Sequence, residues 1–228
     1  MKKISMLAMG LMMMAGCATA QDIQLPAPDM NVKMTLMETL QKRASQREYS
    51  DREISDATLS QVLWAACGIN RPESKKITAP SAINAQDILL YVARKDGAYL
   101  YEPQSNTLKK ICSDDLRDAV AANQKFAATA PVCLIMVTDL SKFGNRGQQA
   151  LPMANMDAAY VSENICLVCT ALGLNTVPRV GMDKAAISKA LGLTEMQIPL
   201  LNNPIGWPKQ RRPTPSLPIG REQIVMSW

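Results

Sequence analysis

The sequence predicts an α+β protein whose sheet carries helices on both faces. Three observations lead there. Residues 88–111 hold three apolar, β-rich runs separated by turn residues. Residues 153–172 form one long apolar helical stretch, closed by Gly173. Helices precede, interrupt and follow the strands in no repeating order, and no low-complexity segment breaks the pattern.

The N-terminus stands apart from that fold. Lys2 and Lys3 precede an apolar run from Ile4 to Ala15, the charged and hydrophobic regions of an export signal, and the run is too short to span a bilayer. Two processing sites compete. Ala18-Thr19-Ala20 suits an ordinary signal peptidase and leaves Gln21 first, whereas Ala15-Gly16-Cys17 looks like the end of a lipoprotein box, with Cys17 bearing lipid. The expected address is therefore outside the cytoplasm, periplasmic or membrane-anchored through Cys17. Residues 1–20 are assigned to the signal and 33–228 to one domain, which is long enough to bury a full core.

The elements follow in order. Gln21–Asn31, with Pro26 and Pro28, reads as an extended lead-in. Met34, Leu36, Met37 and Leu40 mark a short amphipathic helix ending near Arg43. Ser55 is the N-cap of a second helix through Leu59, Val62, Leu63 and Ala66, stopped by Gly68. Ile88–Ala93, Ala98–Tyr101 and Thr107–Ile111, with turns at Asp96-Gly97 and Pro103–Asn106, form an antiparallel meander.

Ser113 is expected to cap a helix with Asp114 and Asp115 in its first turn. Pro131 introduces the continuous apolar strand Val132–Val137, expected to be central. After the long helix, Asp183 caps a short one through Ala190, ended by Gly192. Pro199 and Pro204 make Ile198–Ile205 an edge or interrupted strand. The tail from Pro208, stiffened by Pro213, Pro215 and Pro218 and closing on a short strand near Gln223–Ser227, is expected to lie across a neighbour.

Composition narrows the chemistry. The net charge of +5 falls to +3 without residues 1–20, which carry Lys2 and Lys3 and no acid; with 4% aromatics, nothing supports nucleic-acid binding. The chain has no histidine, which removes the usual triad base and the commonest zinc ligand. A cofactor is therefore expected to carry any catalysis. Five cysteines follow residue 20, an odd count that is no disulfide framework; Cys166-x-x-Cys169 falls inside the long apolar helix and reads as a buried core pair.

Three clusters could carry chemistry. Arg43-Ala44-Ser45-Gln46-Arg47 follows the first helix, and two guanidiniums and a hydroxyl at alternate positions can converge on one anionic group, because the planar guanidinium fork suits phosphate. Ala79-Pro80-Ser81-Ala82-Ile83-Asn84-Ala85-Gln86 offers small residues that let a planar ligand approach the backbone, then two amides. Asn175–Asp183 holds Pro178 and Gly181, which fix a loop whose amides could meet a ring edge. Taken singly, each also suits a plain reading: a solvated basic face, a turn into a strand, and a connection with a helix cap.

Their order, together with Ile205-Gly206-Trp207-Pro208-Lys209, resembles the FMN-binding nitroreductase family. Leu63-Trp64-Ala65-Ala66-Cys67-Gly68-Ile69-Asn70-Arg71-Pro72 looks like a segment of its SagB-type branch, which includes azoline dehydrogenases. The resemblance runs from about Leu36 to Val225. It implies a mixed, mainly antiparallel sheet flanked by helices, in a domain-intertwined homodimer. It implies an FMN-dependent oxidoreductase working by two-step hydride or electron transfer through flavin N5, to or from a small organic substrate, with NADH or NADPH as electron donor.

Roles follow position by position. Arg43, Ala44, Ser45 and Arg47 match the first flavin-contacting motif, and Pro80, Ser81, Ala82 and Asn84 match the segment reaching the same flavin from the other subunit. Pro178, Val180 and Gly181 match the loop beside N5, and Lys209 with Arg211 or Arg212 matches the late basic pair at the phosphate. No residue is assigned as catalytic and none as a metal ligand. Val180 replaces an acidic residue often found before the loop glycine. That departure, with the export signal, keeps open an exported flavin- or ligand-binding protein without nicotinamide-dependent turnover, or a donor other than nicotinamide.

Overall fold

A computed structural model describes residues 21–209. In chain order its elements are β1 (Ile23–Gln24), α1 (Leu36–Lys42), α2 (Asp56–Cys67), β2 (Ile69–Arg71), β3 (Lys76–Ile77), β4 (Ile88–Arg94) and β5 (Gly97–Glu102). Then come β6 (Thr107–Cys112), α3 (Arg117–Ala121), β7 (Val132–Asp139), α4 (Leu151–Leu172), β8 (Asn175–Thr176), α5 (Lys184–Leu191) and β9 (Gln197–Gly206). Seven strands form one sheet in the order β1-β6-β5-β4-β7-β9-β8, and β2 pairs with β3 separately. Every ladder among the described residues is antiparallel.

Strand alternation sorts the core onto the two faces of this sheet. Leu90, Val92, Leu134 and Met136 pack with Leu59, Leu63, Ala158 and Ile165, so α2 and α4 cover one face. Tyr91, Ala93, Cys133 and Ile135 pack with Val120, Ile187 and Leu191, so α3 and α5 cover the other. Val132 through Thr138 are all buried, which is why β7 reads as an unbroken apolar run. The meander, the cap at Ser55, the helix through Leu172 and the left-handed stops at Gly173 and Gly192 all fall where the sequence puts them.

Four expectations are corrected or refined. The helix placed at Ser113 begins at Arg117 without a side-chain cap, because the Asp115 carboxylate is engaged by the Arg117 backbone N–H (3.1 Å) and guanidinium (2.6 Å). The lead-in contributes a strand, β1, that pairs with β6. Strand β9 is interrupted, as one of the two expected alternatives has it, but it is not an edge: it lies between β7 and β8. Its prolines are tolerated for local reasons. Asn202 exchanges both backbone bonds with Arg179, away from β7, so by alternation Pro204 turns its missing donor to that same sparsely paired side, while a register shift lies beside Pro199.

The fourth concerns α1. Its start is secured by a capping box between Thr35 and Glu38, yet Thr39 is the only residue it buries. Leu36 (63%) and Met37 (73%) are exposed, so the apolar residues face outward from the chain. The proposed signal with Cys17, and the tail with Arg211, Arg212 and the strand near Gln223–Ser227, lie outside the described residues.

Candidate functional site

The segment after α1 is held beside β8. Gln46 N–H donates to Thr176 O (2.9 Å), Asn175 Nδ2 donates to Glu48 O (2.7 Å), and the buried Tyr49 hydroxyl donates to Gln46 O (3.1 Å). Between those ties Arg43, Ala44, Ser45 and Arg47 are exposed. The chain then reaches the end of β9, where Ser50 N–H donates to Trp207 O (2.8 Å) and the Arg52 guanidinium lies 4.1 Å from the Trp207 ring centroid. Lys209 borders the same cleft, with Tyr49, Arg52 and Trp207. None of Arg43, Arg47 and Lys209 is in a salt bridge among the described residues.

The third cluster joins this region through β8 and β9. Pro178, Val180 and Gly181 are exposed, whereas Arg179 between them is buried. Its backbone exchanges two 2.8 Å bonds with Asn202. Its guanidinium donates from Nε to Gln124 Oε1 (2.8 Å), and from the terminal nitrogens to Val120 O (3.0 Å), Ala121 O (2.9 Å) and Asn202 Oδ1 (2.7 Å). Asn202 Nδ2 donates back to Arg179 O (3.2 Å) and Gly181 O (3.1 Å). Burial lowers the Arg179 pKa, opposed by nearby Cys133 and Tyr49; it remains a cation.

On the opposite side of β9, Asn203 joins β8 to α4. It accepts from Ser162 Oγ (2.7 Å) and donates to Thr176 Oγ1 (3.3 Å) and Cys166 Sγ (3.7 Å). The adjacent amides Asn202 and Asn203 thus fix the loop and the helix from opposite sides of β9.

The second cluster lies elsewhere. Ala82 N–H donates to both oxygens of the buried Asp157 carboxylate (3.0 and 2.9 Å), and Gln86 N–H donates to Ser81 Oγ (2.8 Å). Ile83, Asn84 and Gln86 all have positive φ (50°, 59° and 47°), a costly conformation for side chains with a Cβ. Pro80, Ile83 and Asn84 are exposed, while Ser81 and Ala82 are half-buried. Asp157 precedes Cys166, whose thiol feels the Arg43 charge, by nine residues of α4, or about 14 Å along the axis. Within one chain, therefore, the first and third clusters are tied through β8, Lys209 borders the first at the end of β9, and Pro80–Asn84 is held instead by Asp157 of α4.

Asp87 packs below this loop. It is fully buried, accepts from Thr138 Oγ1 (2.6 Å), and has no donor for Oδ1. Burial, followed by the neighbouring Asp157 carboxyl, raises its pKa to about 6. Sequence reasoning passed over Asp87, Asp157, Arg179, Asn202 and Asn203. The signal was present: a polar side chain inside a run predicted to be buried must have a partner.

The buried cysteines offer no reactive centre. Cys166 and Cys169 are free and buried, burial pushes Cys166 up to about 11 and Cys169 well above the usual thiol value, and Cys67 and Cys133 are pushed up to about 12. That agrees with a core pair. Among the described residues no group of three or more Cys, Asp or Glu is placed to hold a metal ion.

Comparison with known proteins places this arrangement. The model of the Nitroreductase family matches residues 40–207. A nitroreductase-family protein of Methanocaldococcus jannaschii is 30% identical over 198 residues, covering 81% of this chain and 96% of its own. A nitroreductase-family crystal structure from Ralstonia eutropha superposes with a TM-score of 0.78 at 31% identity, over 83% of this chain and 90% of that one. A chain of the E. coli microcin synthetase complex shares the fold at a TM-score of 0.63 and 17% identity, over 90% and 84% of the two chains. With the α+β sheet, the ordered clusters and full-length relatives in agreement, the chain belongs to the nitroreductase family and is an oxidoreductase enzyme.

Proposed function

We propose that this enzyme is FMN-dependent and acts as a homodimer on a small organic substrate. The observation that carries the reading is the Gln46 N–H···O Thr176 bond, which joins the Arg43–Arg47 segment to the strand leading into Pro178–Gly181. The residues present fit the cofactor. Arg43 and Arg47 have no carboxylate partner among the described residues, are exposed, and lie on a segment fixed at its middle; with Lys209 nearby they suit a phosphate dianion. Gly181 leaves the loop open for a flat ring, since an added Cβ would meet nothing nearer than Arg179 at 3.9 Å.

When bound, FMN supplies the reversible two-electron centre. The protein's contribution is position. Arg43, Ser45, Arg47 and Lys209 hold the phosphate end, with Arg211 or Arg212 assigned to the same group. The backbone at Val180 and Gly181 meets the ring, and Pro80, Ser81, Ala82 and Asn84 close over it from the partner subunit. That last segment is bonded to Asp157, about 14 Å along α4 from Cys166, and its assignment to the partner's flavin follows the family resemblance. The electron donor is assigned to the reduced nicotinamides, NADH or NADPH, and the enzyme to an exported, periplasmic or Cys17-anchored location.

The test is flavin occupancy. Purified wild-type protein reconstituted with FMN should be yellow, and dithionite should bleach it reversibly. R43A/R47A should weaken FMN binding on the order of 100-fold or more, through loss of two charge-assisted contacts. Full occupancy in that double variant would refute the phosphate assignment. Rapid anaerobic bleaching by low-micromolar NADH or NADPH supports the donor assignment, and bleaching by dithionite alone overturns it.

A further inference from the structure

Resting on the FMN reading, we propose that Arg179 tunes the site toward the reduced cofactor, as a fixed and uncompensated positive charge directly behind the backbone that meets the ring. Arg179 is only 6% exposed, and each acceptor its guanidinium uses is neutral: Gln124 Oε1, Val120 O, Ala121 O and Asn202 Oδ1. No carboxylate lies within salt-bridge distance of it among the described residues. Its remaining face lies toward Phe126, 5.5 Å from the ring centroid. A buried cation of this kind is costly unless it is anchored, and here it is anchored twice: by four side-chain bonds and by the paired backbone bonds to Asn202.

Its position gives the charge a use. An added Cβ on Gly181 would lie 3.9 Å from a terminal nitrogen of Arg179, so the cation backs onto the exposed loop at that residue. Val180, exposed on the same loop, brings no opposing charge. Two-electron reduction of a flavin near neutral pH takes up two electrons from the donor and one proton at N5, and leaves one negative charge on the ring system. A cation shielded from water stabilises that product over the neutral oxidised ring, and in a low dielectric the effect is strong. Arg179 thereby raises the midpoint potential without touching the substrate.

Dye-referenced dithionite titrations of FMN-loaded wild type, R179Q, R179K and V180E test this. R179Q removes the charge and keeps hydrogen-bonding capacity, so its midpoint should move negative, with the affinity for reduced relative to oxidised FMN falling on the order of tenfold. R179K keeps the charge and should titrate close to wild type. V180E, at an exposed position, should move the midpoint negative with the fold intact. A wild-type midpoint in folded, FMN-loaded R179Q, or an R179K as low as R179Q, overturns the role assigned to the charge. If R179Q does not fold, an unchanged midpoint in V180E overturns it. Wild-type protein that binds no FMN would overturn the cofactor reading itself, a different failure seen before any titration.

Discussion

Asp87 and Asp157 bring two buried carboxyl groups together beneath a strained loop, and Asp87 Oδ1 has no donor among the described residues. Its pKa of about 6 lies above the unfolded carboxyl value near 3.9, so the folded chain binds the proton more tightly. The stability this contributes is fully present below about pH 4 and is lost as pH rises through about 6. Asp87→Asn keeps an acceptor for Thr138 and supplies a permanent donor toward Asp157. The variant should melt above wild type at pH 7, with the gap closing by pH 4; an equal gap at both pH values would contradict the raised Asp87 pKa. The thiols give a second check, because burial holds Cys67, Cys133, Cys166 and Cys169 protonated. Native protein at pH 8 should label far more slowly at these four than after denaturation. At this scale legibility was uneven. Arg43 and Arg47 could be read because their use follows from their own chemistry, whereas Arg179 depends on α3 carbonyls nearly sixty residues earlier.

The elements were legible wherever periodicity or capping is local. Asp183 donates nothing to chance: its carboxylate accepts from Ala186 N–H (3.0 Å), and Ser55 Oγ accepts from Thr58 N–H (3.3 Å). The failures share a cause. Asp115, expected in the first turn after Ser113, is held by Arg117, and the prolines of β9 do not reveal which side its neighbours occupy. Gly206 shows how closely the end of β9 packs. An added Cβ would lie 2.7 Å from Pro131 Cδ and 3.1 Å from Tyr49 Cδ1. Gly206→Ala should therefore destabilise the fold by about 1–3 kcal/mol, measured as a lower denaturant midpoint. Because Trp207 is bonded to Ser50, the same variant should weaken FMN binding.

For the whole molecule, the sheet with helices on both faces was legible because each face is written in the alternation of the strands. Assembly was less so, since α1 buries almost nothing within its own chain. On the proposed homodimer, Leu36, Met37 and Leu40 belong to the interface, and burying charge there is unfavourable. Met37→Asp should leave secondary structure intact and convert the protein to monomer in light scattering; a dimer of wild-type strength would remove α1 from the interface. The spacing of the two halves of the site on α4 then has a consequence for stoichiometry. Each pigment molecule would be clasped by both polypeptides, two per pair, and neither polypeptide would own a complete cradle. Dilution alone should then bleed colour from the preparation, so that apparent tightness of binding rises with enzyme concentration.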